Sequence, residues 1–155
     1  MSRWKNFKIW RGRLPHWRAD DVRYFVTFKH RRALNEDERL ALFRQLLRPE
    51  GRKWDLLILC VLPERTELIF SVRTAADGQP VELSQIVEPA KRRAAKDIGK
   101  ISKDRYPPFW EESYDRIIRD EPELEQRWQE VYDSPVIEEL VEDPTEWETL
   151  YVAAG

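Results

Sequence analysis

Two charged side chains stand two residues apart at the head of an apolar run, Arg65 and Glu67 in Arg65-Thr66-Glu67-Leu68-Ile69-Phe70. In an extended strand that spacing puts both heads on one face, with Thr66, Leu68, Phe70 and Val72 on the other. A guanidinium has only donors and suits a phosphate or a carboxylate, whereas a carboxylate accepts protons or ligates a hard cation. Further cations gather in two places. Residues 1–18 carry Arg3, Lys5, Lys8, Arg11, Arg13 and Arg18 without a single acid, interleaved with Trp4, Phe7, Trp10 and Trp17, and Lys91, Arg92, Arg93, Lys96, Lys100 and Lys103 recur further on. Cations for phosphates and flat rings for bases are what contact with a single-stranded or hairpin nucleic acid requires. The plainer reading is an arm whose tryptophans pack on the domain, and a helix face that is simply solvated. A third cluster, Asp115, Arg116 and Arg119, either orients phosphate or pairs among itself.

Composition narrows the chemistry. The only cysteine, Cys60, sits inside an apolar stretch and reads as a buried small hydrophobe. Two isolated histidines, His16 and His30, and the lack of a CxxC pair leave a zinc site without support. At 155 residues, 41% hydrophobic and 12% aromatic, the chain is one domain with a real core. No apolar run approaches the ~20 residues of a membrane-spanning helix, and the basic start lacks the apolar run and cleavage site of a secretory signal. A cytoplasmic protein with no membrane partner is the expectation. The net charge of −2 hides an asymmetry, a basic start against an acidic stretch after Trp110. A local basic surface, not the total, is what attracts phosphate.

These residues need a scaffold. Leu56 to Leu62 is apolar throughout and Thr66 to Val72 resumes after a short break, which predicts a central β-hairpin over Trp54 to Val72. Val22 to Phe28 alternates and is rich in aromatic and β-branched residues, a first strand. Asn35 with Glu38 forms a capping-box signature ahead of Leu40, Phe43, Leu46 and Leu47, predicting a helix to about Arg48 that stops at Pro49 and Gly51. Thr74 to Pro80 reads as a loop. Leu83, Ile86, Val87, Ala90, Ala94, Ile98 and Ile101 trace one face of a second helix, with Pro89 bending it or marking its start, and put Lys91 among the cations of the other face. Pro107 to Ile118 reads as a loop and a fourth strand. Asp120 with Glu123, and Pro122 in the first turn, opens a third helix through Leu124, Trp128 and Val131. On it Tyr132 extends the stripe of Leu124 and Trp128, which marks it as packing rather than as a nucleophile. The acidic end carries Trp147 and Tyr151 as anchors.

Several phrases resemble the single-tyrosine HUH transposases, in particular the REP-associated tyrosine transposase group. Phe109 to Glu121, FWEESYDRIIRDE, is the most specific match; Arg13 to Trp17, RLPHW, resembles the lead-in to the first strand, and the tail resembles the family's close. After the apolar strand the family reads Pro-Asn-His-x-His-apolar, and here the frame is Pro63-Glu64-Arg65-Thr66-Glu67-Leu68. The family's nucleophilic tyrosine lies in Tyr-Ile-x-x-Asn-Pro-Val, here Glu130-Val131-Tyr132-Asp133-Ser134-Pro135-Val136. Arg65 and Glu67 thus replace both metal-holding imidazoles, Glu130 stands at the nucleophile, and Ser134 at the asparagine. Tyr132, two residues on, is turned ~200° round the helix from that position.

The resemblance covers about Arg13 to Trp147 and implies an α+β, ferredoxin-like split βαβ fold: an antiparallel sheet with helices on one face, open on the site face, plus an additional C-terminal helix. The implied layout is a basic aromatic arm over 1–21, a transposase-like domain over 22–141 and an acidic tail over 142–155. Three functional readings follow. The first is a catalytically silent relative that binds single-stranded or hairpin DNA through Arg11, Arg13, Trp17, Arg18, Arg65, Lys91, Arg92, Lys96, Lys100, Arg116 and Arg119, with no cofactor. The second is an active strand-transfer enzyme, with Glu67 as a ligand for Mg²⁺ or Mn²⁺ and Tyr132 or Tyr114 as nucleophile. The third is a protein-interaction module working through the acidic tail. An exposed sheet edge leaves room for a homodimer.

Overall fold

The computed structural model describes residues 22–72, 86–102 and 109–153. The basic aromatic arm, with Arg11, Arg13, Trp17 and Arg18, the expected loop over Thr74 to Pro80, and Leu83 lie outside the described residues. Five strands form one sheet in the order β4-β1-β3-β2-β5: β1 Arg23–Lys29, β2 Trp54–Val61, β3 Arg65–Val72, β4 Tyr114–Ile118 and β5 Leu150–Val152. Every neighbouring pair is antiparallel. Helices α1 (Glu36–Leu47) and α2 (Val87–Ser102) connect β1 to β2 and β3 to β4, so each crossover skips one strand, as in a split βαβ pair. This is the ferredoxin-like α+β arrangement, and a third helix, α3 (Glu121–Ile137), completes it.

The two faces have separate cores. Val26, Phe28, Leu68 and Phe70 pack with Leu42 and Leu46 of α1 and with Ala90, Ala94 and Ile98 of α2. Phe25, Ile58, Cys60 and Ile69 pack instead with Leu124, Trp128 and Val131 of α3. β2 is apolar on both sides because it has strands on both edges and a core on both faces. A register shift between Leu56 and Ile58 lets Leu57 and Ile58 both join the α3 core, while Leu56 and Leu59 stay with the other. No helix among the described residues is long and apolar enough to cross a membrane.

Local signals act where the sequence puts them. Asn35 accepts from the Glu38 amide and Glu38 from the Asn35 amide, closing the capping box of α1. Glu38 also takes both prongs of the Arg32 guanidinium and the Ser102 hydroxyl, so its carboxyl, buried as it is, falls to about 2. Pro89 belongs to the first turn of α2, and Ile101, expected in the core stripe, is 47% exposed in the last turn of the helix. The strand at Leu150–Val152 has no counterpart in the sequence reading. It pairs with β2, while the Trp147 indole donates to the Val61 carbonyl and the Arg39 guanidinium lies over the Trp147 ring.

His30 fastens the end of β1 to the β2–β3 turn. Its Nδ1 lies 2.9 Å from the Pro63 carbonyl, which can only accept, so Nδ1 carries the proton and Nε2 accepts from the Thr66 hydroxyl at 2.8 Å. Burial lowers its pKa to about 4, against a partial opposing effect of the Pro63 carbonyl. The unfolded chain therefore binds more protons than the folded one between pH ~6.5 and ~4, and stability must fall as pH falls through that window. The expected loss is up to about 3 kcal/mol, from the linkage of a shift of this size. Urea titrations at several pH values check it, with His30→Gln flattening the slope.

Candidate functional site

The residues singled out on β3 and α3 do meet. Cross-strand pairing places Tyr114, Thr27, Glu67, Cys60 and Leu150 in one row across the sheet, and Arg65 one step on, opposite Lys29. Because Phe25 and Ile69 of the same alternation face α3, so does this row. α3 lies over it, so the face is roofed rather than open, and Glu67 is largely buried.

The end of α3 is held by backbone geometry. Glu139 adopts φ 58°, its amide donates to the Val136 carbonyl, and the Leu140 amide donates to the Pro135 carbonyl, which is a Schellman closure. Glu138, the C-cap, is thereby set beside Arg65 and makes a short ion pair with its guanidinium. Arg65 Nε is also 3.6 Å from Glu67 Oε1. The Ser134 hydroxyl lies 2.8 Å from Glu67 Oε1 and 2.7 Å from the Glu130 carbonyl, its one proton shared between two acceptors. Burial lifts the Glu67 carboxyl above its ordinary range, with Arg65 and Ser134 pulling the other way and the charges of Glu138 and Glu130 adding to the rise. Burial also works against the Arg65 charge, but Glu67 and Glu138 outweigh it and leave the guanidinium above its usual value.

This donor set does not fit a divalent metal. A permanent cation occupies one of the two expected ligand positions, and Glu67 is already committed to Arg65 and Ser134. Among the described residues no group of three or more His, Cys, Asp or Glu side chains is placed to hold a metal ion. Glu130 carries a carboxylate in place of a phenol, and that carboxylate takes the Gln126 amide at 3.2 Å and lies 3.6 Å from Arg127 along its own helix. Tyr132 is stacked on Trp128, ring centroids 5.0 Å apart and planes 11° from parallel, and burial first, then Asp143 and Asp133, raise its phenol pKa. Tyr114 is different: it is 59% exposed and shares the Glu67 row, two strands away.

The cations expected to act together are split. Arg92, Lys96 and Lys100 are exposed on α2, across the sheet from Arg65. Lys91 does not belong with them. It is 4% exposed, with Nζ 3.0 Å from the Ser113 hydroxyl, 3.2 Å from the Glu111 carbonyl and 3.4 Å from Glu88, and it lies over the Phe28 ring. The helical spacing that made it look solvated puts it where α2 meets the segment leading into β4. Lys91→Ala is expected to cost about 1–3 kcal/mol, as for other buried hydrogen-bonded groups, while Arg92→Ala/Lys96→Ala changes stability by less than ~0.5 kcal/mol. Thermal melts of the two variants check this. Arg116 is paired with Glu123 of α3 at 2.5 Å, and the Arg119 amide donates to the same carboxylate, so the cluster bonds to α3 rather than only within itself.

Two cations were missed. Lys29 is exposed opposite Arg65, and Arg31 is exposed with Nε 3.3 Å from the Trp110 carbonyl. The run Lys29-His30-Arg31-Arg32 was legible as charge, but only the pairing of residues 29–31 with 109–111 places it at the site end of the sheet.

The fold and site together define a class: a split βαβ scaffold whose central strand β3 and C-terminal helix α3 converge on a partly buried charged cluster. No family model and no curated protein matches the chain. Among solved structures, that of a REP-associated tyrosine transposase bound to a REP hairpin is similar in fold, with TM-score 0.57 over 88% of this chain and 82% of the other at 15% identity.

Proposed function

We propose that this chain binds single-stranded or hairpin DNA on a transposase-like scaffold and does not cleave it. The observation that carries the reading is the Arg65, Glu67, Ser134 and Glu138 network: the two positions that the resemblance assigns to metal ligands meet the position of the motif's asparagine and are closed by an ion pair instead. Support for a nucleic-acid partner comes from the similarly folded protein, which is bound to a hairpin, and from exposed cations at Lys29, Arg31, Arg92, Lys96 and Lys100. Arg65 keeps anion affinity where a cation site would need carboxylates or imidazoles. A phosphate reaching it displaces Glu138.

Fluorescence anisotropy with a labelled hairpin bearing a single-stranded flank tests this. Affinity is expected to fall steeply with salt, and Arg92→Ala/Lys96→Ala is expected to reduce the slope of log K against log salt by roughly 1.5, from two lost contacts to single-stranded phosphates. Incubation with Mg²⁺ or Mn²⁺ is expected to give no nicked product. Salt-insensitive, weak binding would instead favour the interaction module. The exposure of Tyr114 on the Glu67 row favours one second reading, an active enzyme with Tyr114 as nucleophile, recognised by nicking that vanishes in Tyr114→Phe.

A further inference from the structure

Between α2 and the segment leading into β4 runs a groove of about 540 Å³, within the ~300–1,000 Å³ range of small-molecule sites. Its wall is mainly apolar. Ala95 and Gly99, one turn apart on α2, leave the space, and Phe109 and Trp110 form the opposite side. The segment is fixed: the Trp110 indole donates to the Lys91 carbonyl, and the Arg31 amide to the Phe109 carbonyl. Charge is unevenly spread around the groove. Exposed Arg92 and Lys96 line it along α2, while Glu111 and Glu112, also exposed, line it where the segment meets Lys91 and Glu88. A ligand matching this wall is flat and apolar in the middle, anionic at one end and rich in hydrogen-bond donors at the other.

Resting on the DNA reading above, we infer that this groove takes one unpaired nucleotide of the single-stranded flank, its phosphate on Arg92 and Lys96 and the exocyclic amine of its base on Glu111 or Glu112. Carboxylates accept from such amines, which adenine, guanine and cytosine carry and thymine lacks. The same segment continues into Tyr114 on the Glu67 row, so a strand leaving the groove passes round the β4 edge toward Arg65.

The test uses the full chain and a hairpin whose flank contains no thymine, replacing each unpaired nucleotide in turn by thymidine or an abasic residue at constant salt. One position is expected at which either change weakens binding at least fivefold. Gly99→Leu, which fills the groove and keeps both cations, is expected to erase that discrimination without changing the salt slope, and Ala95→Leu repeats the test from the preceding turn. Equal affinity for every flank, or discrimination that survives both fillings, overturns the groove assignment; if binding stays salt-dependent, the DNA reading stands without it. Absence of binding to any of these oligonucleotides removes both.

Discussion

Replacing Arg65 and Glu67 together by histidine is expected to create divalent-cation affinity in this fold. The two positions point to one face of β3, and losing the guanidinium frees Glu138 beside them as a third ligand, through a carboxylate oxygen. At a metal concentration about 100 times the dissociation constant, binding to the folded state alone would add about 2.7 kcal/mol, or roughly 5–10 °C in Tm for a chain of this size. The native chain is expected to show no such shift. Adding Glu130→Tyr should then yield metal-dependent nicking of a DNA hairpin, since a missing nucleophile typically costs ~10⁴- to 10⁶-fold in rate. A folded double variant whose Tm ignores Mn²⁺ and Co²⁺ would remove the basis for reading this cluster as a metal site replaced by an ion pair.

Arg65→Leu is expected to destabilise the protein by about 2–3 kcal/mol near pH 8. Breaking a buried ion pair from one side leaves the other charge uncompensated, typically ~3–5 kcal/mol, and solvent screening lowers the cost here because Arg65 is about a third exposed while Glu67 is 15% exposed. The effect carries a pH signature. Glu67 already has a raised carboxyl pKa, and without Arg65 it rises further, so the folded state binds more protons than the unfolded one above pH ~4.5. Stability of the variant therefore falls as pH rises through that window, and near pH 4 the penalty should largely disappear. Arg65→Leu/Glu67→Leu is expected to recover most of the loss at pH 8, since an apolar pair of similar volume avoids both desolvation costs. If the single variant is as stable as the native chain at both pH values, the network is ornamental to the fold.

The convergence of Arg65, Glu67 and Ser134 has a plain physical origin. A strand of period two fixes which of Arg65, Thr66 and Glu67 share a face, and a helix anchored by Leu124, Trp128 and Val131 must bring Ser134 to that face, one turn further on. Both periodicities are written in the residue order. The Asn35 and Asp120 caps were readable for the same reason, because each acts on an amide three residues away.

Other features depend on what arrives from a distance. Lys91 and Arg92 are neighbours on a helix that is basic on its outer side, yet one is buried and the other solvated. Only the return of residues 109–113 against α2, carrying Ser113 and the Glu111 carbonyl, decides it. β5 is too short and too polar in its surroundings to announce itself, and it exists because β2 offers an unpaired edge and Trp147 a hydrogen bond to hold the chain there. The sequence by itself determined the order of strands and helices as far as α3, the two-faced patterning of β2 and the placing of Arg65 and Glu67 on one face of β3, because these rest on local period and residue type. The tertiary structure alone decided that Glu138 closes Arg65, that His30 is neutral beneath the β2–β3 turn, and that the cations of α2 lie across the sheet from the site. Each of these is a contact between segments far apart in the chain, and no local rule specifies it.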